Sequence, residues 1–178
     1  ALATRTETWT VILKDFKDAA ANLPVSYGNS DIGRATKGAA LAYLGKAYLH
    51  KAGDTEASET DDYNNAADIL DDVIKLNVYS LEANYVSMFD GTNENSSESI
   101  FELQYGQTGA IRNSEAPRSY TPSNSTFVGP TIRTFGRFKP NKETFTNHSE
   151  QHPEDPRIDA TFIYNGYELV NGNTADVY

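Results

Sequence analysis

The sequence predicts a mainly α chain: antiparallel helical hairpins over residues 4–77, then a loop-rich section with short β-hairpins over 78–178, the whole forming a single region. Three features carry this. Apolar residues recur with the helical period in three early stretches. After about Asn77 the composition shifts to Asn, Ser, Thr, Gly and Pro, with aromatics spaced irregularly among them. Beyond that point only short alternating runs remain, the pattern of strands rather than helices.

The first helical series is Trp9, Ile12, Leu13, Phe16, Ala19, Ala20, Leu23, and Pro24 ends it. A polar linker, Ser26 to Asp31, follows. The second series is Ala40, Leu41, Leu44, Ala47, Tyr48, Lys51, with Gly53 placed as its C-cap. The third is Tyr63, Ala66, Ala67, Leu70, Val73, Ile74, preceded by Asp61 and Asp62, which suit a helix N-terminus as caps and as charges against the dipole. Farther on, Ile100 to Tyr105 alternates and reads as a short strand. Ala160 to Ile163 and Tyr167 to Val170, joined by Asn165-Gly166, read as a hairpin. Between them, Gly106 to Pro156 shows little periodicity, which in a domain usually marks function or membership of a larger fold.

The helices share a repeat register. In a tetratricopeptide pair, small and large residues alternate where two antiparallel helices interlock. Leu44-Gly45-x-x-Tyr48 fits the first helix of such a pair, with Leu41 at the place usually held by Trp. Ala66-x-x-x-Leu70-x-x-Val73 fits the second, and Phe16, Ala19 and Pro24 fit the end of a preceding repeat. Val25 to Ile32 and Gly53 to Glu59 are too long for a regular array, so the repeats are degenerate and embedded in something larger. Leu44, Tyr48, Ala66 and Leu70 are expected to meet in one core.

Composition removes several functions. The 178 residues include 38% hydrophobic and 22% charged side chains, the balance of a folded domain. No run approaches the ~18 apolar residues of a membrane-spanning helix. The net charge is −10, and the 15 Lys and Arg are scattered rather than gathered into a basic patch, which argues against duplex nucleic acid and against adhesion to anionic lipid. The absence of cysteine excludes disulfides, thiolate zinc sites and Cys nucleophiles together.

The segment from Gly33-Arg34-Ala35-Thr36-Lys37-Gly38 through Leu44-Gly45-Lys46-Ala47-Tyr48-Leu49 resembles the signature helix of the SusD/RagB family of starch-utilisation type. Tyr79-Ser80-Leu81, Asn84-Tyr85, Met88-Phe89, Glu94-Asn95, Glu98-Ser99-Ile100-Phe101-Glu102 and Gln104-Tyr105 then follow in the family's order, and Asp155-Pro156-Arg157 with Ala160-Thr161 resembles a further landmark. The resemblance implies a SusD-like, non-enzymatic glycan-binding lipoprotein of Bacteroidetes-type bacteria. It would sit on the extracellular face of the outer membrane and deliver oligosaccharide or polysaccharide to a SusC-like TonB-dependent transporter. It also implies that the chain is an internal fragment of a longer protein, held to the membrane only through a lipid anchor that this fragment lacks. No cofactor is implied. Two alternatives stay open: a tetratricopeptide-like protein-interaction scaffold without a sugar ligand, and an accessory or catalytic piece of a glycoside hydrolase.

Sugar recognition uses aromatic faces beside a few convergent polar groups. Tyr120, Phe127, Phe135, Arg118, Arg133 and Asn124 lie in the section with that mixture and are the candidate glycan-binding residues. Tyr105 shares the composition. Trp9, the single tryptophan, falls within the helical series, so packing is its expected role. His148 and His152 are spaced as helical metal ligands can be, but Pro153 follows, the HExxH order is missing and no Cys supports zinc. No catalytic or metal residues are assigned. The run Asp54, Glu56, Glu59, Asp61, Asp62 lacks calcium-loop spacing and reads as a solvated turn with a helix cap. Asn95, Asn124 and Asn147 begin sequons relevant only to a eukaryotic secretory setting.

Overall fold

The computed structural model describes residues 2–89, 92–105, 119–121, 135–162 and 164. The chain divides into two compact units, Ala1–Ala83 with Asn95–Gln104, and Asn84–Glu94 with Tyr105–Tyr178.

In the first unit, Thr4 opens α1 (Arg5–Asn22). Its hydroxyl accepts from the Glu7 N–H at 3.2 Å, and the Glu7 carboxylate accepts from the Thr4 N–H at 2.8 Å, a reciprocal capping box. Pro24 follows the C-cap Leu23, and its carbonyl accepts from the Lys37 N–H at 2.8 Å, which closes the intervening loop. Thr36 caps α2 (Lys37–Ala52) by accepting from the Ala39 N–H at 3.2 Å. Gly53 is the C-cap of α2, with φ −86° and ψ −3°, so it stays in the right-handed region rather than taking a left-handed cap. The third helix, α3, spans Asp62–Lys75.

Two small cores hold these helices. Leu44, Tyr48 and Ala66 are buried together, with Leu13, Phe16 and Ile69 packed around them. Ala20, Ala40, Leu41 and Val73 form the second, covered by Leu23, Leu76, Tyr79 and Ile100 among others. Leu70 enters differently: a Cβ on Gly45 would lie 2.7 Å from its Cγ, so Leu70 fills the notch that the missing side chain leaves. The tetratricopeptide register thus places small residues where the helices touch. Gly38 works likewise, because a Cβ there would meet the Tyr79 hydroxyl at 2.1 Å.

The acidic turn differs from a merely solvated one. Asp62 is fully buried and accepts two bonds from the buried Lys51 ammonium, at 2.9 and 2.8 Å, and a third from the Glu59 N–H at 2.7 Å. Asp61 holds the N-cap position of α3 without a side-chain cap bond. Burial pushes the Lys51 ammonium down, but its bonds and charge pairing with Asp62 and Glu59 outweigh that and leave its pKa raised. Asp54 accepts from the Trp9 indole N–H at 3.0 Å and from Arg5 at 3.2 Å, tying the start of α1 to the α2–α3 turn. Trp9, half-buried, therefore anchors the frame through this bond.

Residues 100–105 form no strand ladder. Side chains bond this stretch instead of a neighbouring strand. The Glu102 carboxylate accepts from the Asn95 N–H at 3.2 Å, and the Asn95 and Gln104 amides bond each other at 2.8 and 3.2 Å. Glu82 and Glu98 accept backbone N–H groups across the same loop, from Ser97 at 3.1 Å and Glu82 at 2.8 Å. Gly33, at φ +93°, lies directly under Gln104, whose Cγ would be 2.5 Å from a Cβ there. Most downstream landmarks in this unit are thus braces of the helical frame.

In the second unit, α4 (Lys142–Gln151) starts at Asn141, whose side chain accepts from the Glu143 N–H at 3.0 Å. The Asp155 side chain accepts from the Arg157 N–H at 2.9 Å, a turn that leads into α5 (Arg157–Thr161). Arg157 also grips Asp155 through its guanidinium, which with the backbone bond holds that carboxyl far below the usual carboxylate range. Phe145 packs edge-on to Phe162 at 5.4 Å and beside Tyr164 at 5.2 Å. Ala160 and Thr161 thus belong to a helix rather than to the expected hairpin strand, because the Asp155 turn starts a helix just before them. The remainder of that hairpin, Ile163 and residues 165–170, lies outside the described residues. No helix among the described residues is long and apolar enough to cross a membrane.

Candidate functional site

The candidate glycan-binding residues belong to the second unit. Two short stretches meet there. The Thr121 carbonyl accepts from the Gly136 N–H at 2.9 Å, and the Ser119 carbonyl accepts from the Arg137 N–H at 2.8 Å and the Phe138 N–H at 3.3 Å. Gly136 has φ +54°, the left-handed region where glycine carries no Cβ penalty, and this bend turns Arg137 and Phe138 back towards Ser119. Thr121 itself is buried.

The clip sets two rings side by side in solvent. Tyr120 and Phe138 have centroids 5.3 Å apart and planes tilted by 35°, an offset arrangement that aromatic pairs favour. They are 65% and 58% exposed, so neither ring is spent on a core. Phe135 is half-buried, and the Arg137 guanidinium lies over its face at 4.8 Å. Large apolar rings held in water by backbone bonds offer flat faces for a ligand with its own apolar face and polar rim. A pyranose ring is such a ligand.

Of the six residues expected from sequence, Tyr120 and Phe135 lie on the two stretches that this clip joins. Arg118, Asn124, Phe127 and Arg133 lie outside the described residues. Sequence reasoning passed over Phe138 and Arg137. The signal was the spacing Phe135-Gly136-Arg137-Phe138, where a glycine permits a sharp bend that two aromatics flank.

Other features serve different ends. The His148 Nε2 lies 3.4 Å from Asp155, and the His148 and His152 rings stand edge to face at 6.1 Å. Among the described residues no three His, Cys, Asp or Glu side chains group as metal ligands would. In the first unit, a pocket of about 210 Å³ is lined by Tyr27, Tyr79, Phe101, Asn95 and Glu102 among others, and Asn95 and Glu102 also brace the loop described above. An open groove of about 450 Å³ runs along α1, α2 and α3, over Leu41, Leu44, Ile69 and Leu76 with Lys17 and Lys37 at its rim.

No protein-family model matches the chain, and no curated protein matches it. Among solved structures, it is similar to a SusD-like protein from Bacteroides fragilis NCTC 9343, whose crystal structure was determined at 2.70 Å. The TM-score is 0.50 and the sequence identity 32%, over 60% of this chain and 20% of that one. The chain thus spans a fifth of that neighbour's length, and its helical fold is SusD-like.

Proposed function

We propose that this chain is part of a SusD-like oligosaccharide-capturing protein, with α1 to α3 as its frame and the Tyr120–Phe138 pair as a sugar platform. The exposed, backbone-clipped ring pair is the observation that carries this reading, and the likeness to a SusD-like structure supports it. The protein captures its ligand without breaking bonds. Glycoside hydrolysis ordinarily needs two carboxyl groups flanking the scissile bond, and none of the clip residues 119–121 and 135–138 is acidic. The whole protein would act at the outer face of the outer membrane and hand its ligand to a TonB-dependent transporter. The groove along α1 to α3 favours a second reading, a surface for a protein partner.

Tyr120→Ala in the full-length protein tests the main reading. Truncating a platform ring should weaken oligosaccharide affinity at least tenfold, about 1.4 kcal/mol. The melting temperature should hardly move, because the ring is exposed. Calorimetric titration and thermal melts decide it. Unchanged affinity for an oligosaccharide that the wild type binds would move the platform away from this clip.

A further inference from the structure

Along the sequence the cations look evenly spread, but the carboxylates are not. Residues 116–142 hold five of the chain's 15 Lys and Arg and none of its 25 Asp and Glu. Those five are Arg118, Arg133, Arg137, Lys139 and Lys142, and Glu143 is the first carboxylate after them. On a chain of net charge −10 this is a sharp local reversal, and it coincides with the aromatic clip. Arg137 and Lys139 flank Phe138 in the chain, and Lys142 begins α4 just beyond. All three are exposed. Among the described residues none of them is paired with a carboxylate, although the chain carries many. The Arg137 guanidinium is held over Phe135 instead, an arrangement that orients its plane while its N–H groups stay in an exposed side chain. A planar guanidinium offers paired N–H donors that match a carboxylate or a sulfate ester, and a lysine adds an unpatterned charge.

From this we infer that the Tyr120–Phe138 platform selects anionic oligosaccharides, whose sugar faces lie on the rings while their uronate or sulfate groups meet Arg137 and Lys139. The inference rests on the glycan-capture reading and narrows its ligand class. A neutral sugar would use the rings and take only hydroxyl hydrogen bonds from the cations, without charge pairing. A bare polyanion would use the cations and leave the rings idle. Only a charged sugar both lies on the rings and pairs its charge with the cations.

The test uses the full-length protein and size-matched probes: hexagalacturonate, its fully methyl-esterified form, a sulfated hexasaccharide, and polyphosphate. The ester keeps the same backbone and masks the charge. Hexagalacturonate or the sulfated probe should bind at least tenfold more tightly than the ester, and the comparison of those two identifies uronate or sulfate as the group. Arg137→Gln with Lys139→Gln should bring the acid's affinity down to that of the ester and leave the melting temperature unchanged. Tyr120→Ala should weaken all sugar probes alike. Added salt should weaken the anionic probes and spare the ester. Equal affinity for acid and ester overturns the inference while the capture reading stands. Polyphosphate binding as tight as the acid's, and insensitive to Tyr120→Ala, overturns it in favour of a plain cationic patch. Binding of none of the probes overturns the inference and, if a wider glycan array is also negative, the capture reading with it.

Discussion

Replacing Lys51 with methionine should be among the most damaging single changes available in the helical frame. The ammonium has 6% of its side-chain surface exposed and its partner Asp62 only 1%. Both Asp62 oxygens take bonds from it, at 2.9 and 2.8 Å, and Glu59 approaches at 3.4 Å from a far more exposed position. Methionine keeps much of the stem's packing and removes the charge, so the loss is electrostatic. Asp62 is then left as a buried carboxylate with the Glu59 N–H as a remaining donor. Breaking a buried pair from one side typically costs about 3–5 kcal/mol, because the stranded charge has lost its hydration and gained nothing in return. Urea melts with a fitted midpoint and slope measure this directly. The double variant Lys51→Met with Asp62→Leu should recover a large part of the loss, since it removes the stranded charge, and the coupling energy from the four-variant cycle should be large. The sign of the pH effect follows from the raised Lys51 pKa. The pair's contribution is complete below the ordinary lysine value of 10.5 and fades as pH rises through the higher folded value. A single-variant loss under about 1 kcal/mol, the range of exposed ion pairs, would refute the view that this pair is a buried joint between α2 and α3.

Two further outcomes test the frame. The Asp54 carboxyl is pulled down to about 2, chiefly by the Trp9 indole bond and then by the Glu56 N–H, with Arg5 adding to both. Its contribution is present above the ordinary carboxylate range and lost as pH falls towards 2, so melting temperatures measured from neutral pH downward should show a steeper acid decline in the wild type than in Trp9→Phe. Identical slopes would mean that the indole bond does not form. Gly45→Ala should destabilise despite alanine's better helix propensity: the propensity gain is about 0.5–1 kcal/mol, overpacking against Leu70 costs about 1–3 kcal/mol, and Gly45→Ala with Leu70→Ala should relieve the clash. A stabilised Gly45→Ala in a urea melt would sink the close-packing account.

Helices α1 to α3 were legible because their signals are local and periodic, whereas α4, in a stretch read as unpatterned, was not. The apolar series of α1 to α3 and the small residues Gly45 and Ala66 follow from spacing alone. What escaped was the pairing of residues distant in sequence. Asp62 looked like one acid among five in a solvated turn, and only the approach of α2 to α3 makes it the partner of Lys51. Trp9 looked like core, and only the neighbouring turn reveals Asp54 as its acceptor. The alternation from Ile100 to Tyr105 looked like a strand, yet period-two patterning says nothing about whether a partner strand exists, and here side chains of Glu102 and Gln104 supply the bonds.

The same logic explains why half of the proposed platform was visible. Tyr120 stood out as an aromatic among polar residues, a property of composition. Phe138 did not, because its role depends on a bend at Gly136 and on two N–H groups, its own and that of Arg137, reaching back across many residues to the Ser119 carbonyl. Composition can nominate a ring for a ligand, but a platform is a relation between rings, and backbone bonds set that relation. The charge of the segment sits between these cases. It can be counted from sequence, yet it becomes informative only when the cations are set against the carboxylates absent beside them and the rings among them. A region that excludes acids on an acidic chain, and keeps aromatics in water, departs twice from what folding alone requires. Charges spread for solubility gain nothing from segregation, and exposed rings add little to a core. Both departures fall on the residues flanking one glycine bend, which is why that clip, rather than either concavity of the helical unit, is where we place recognition.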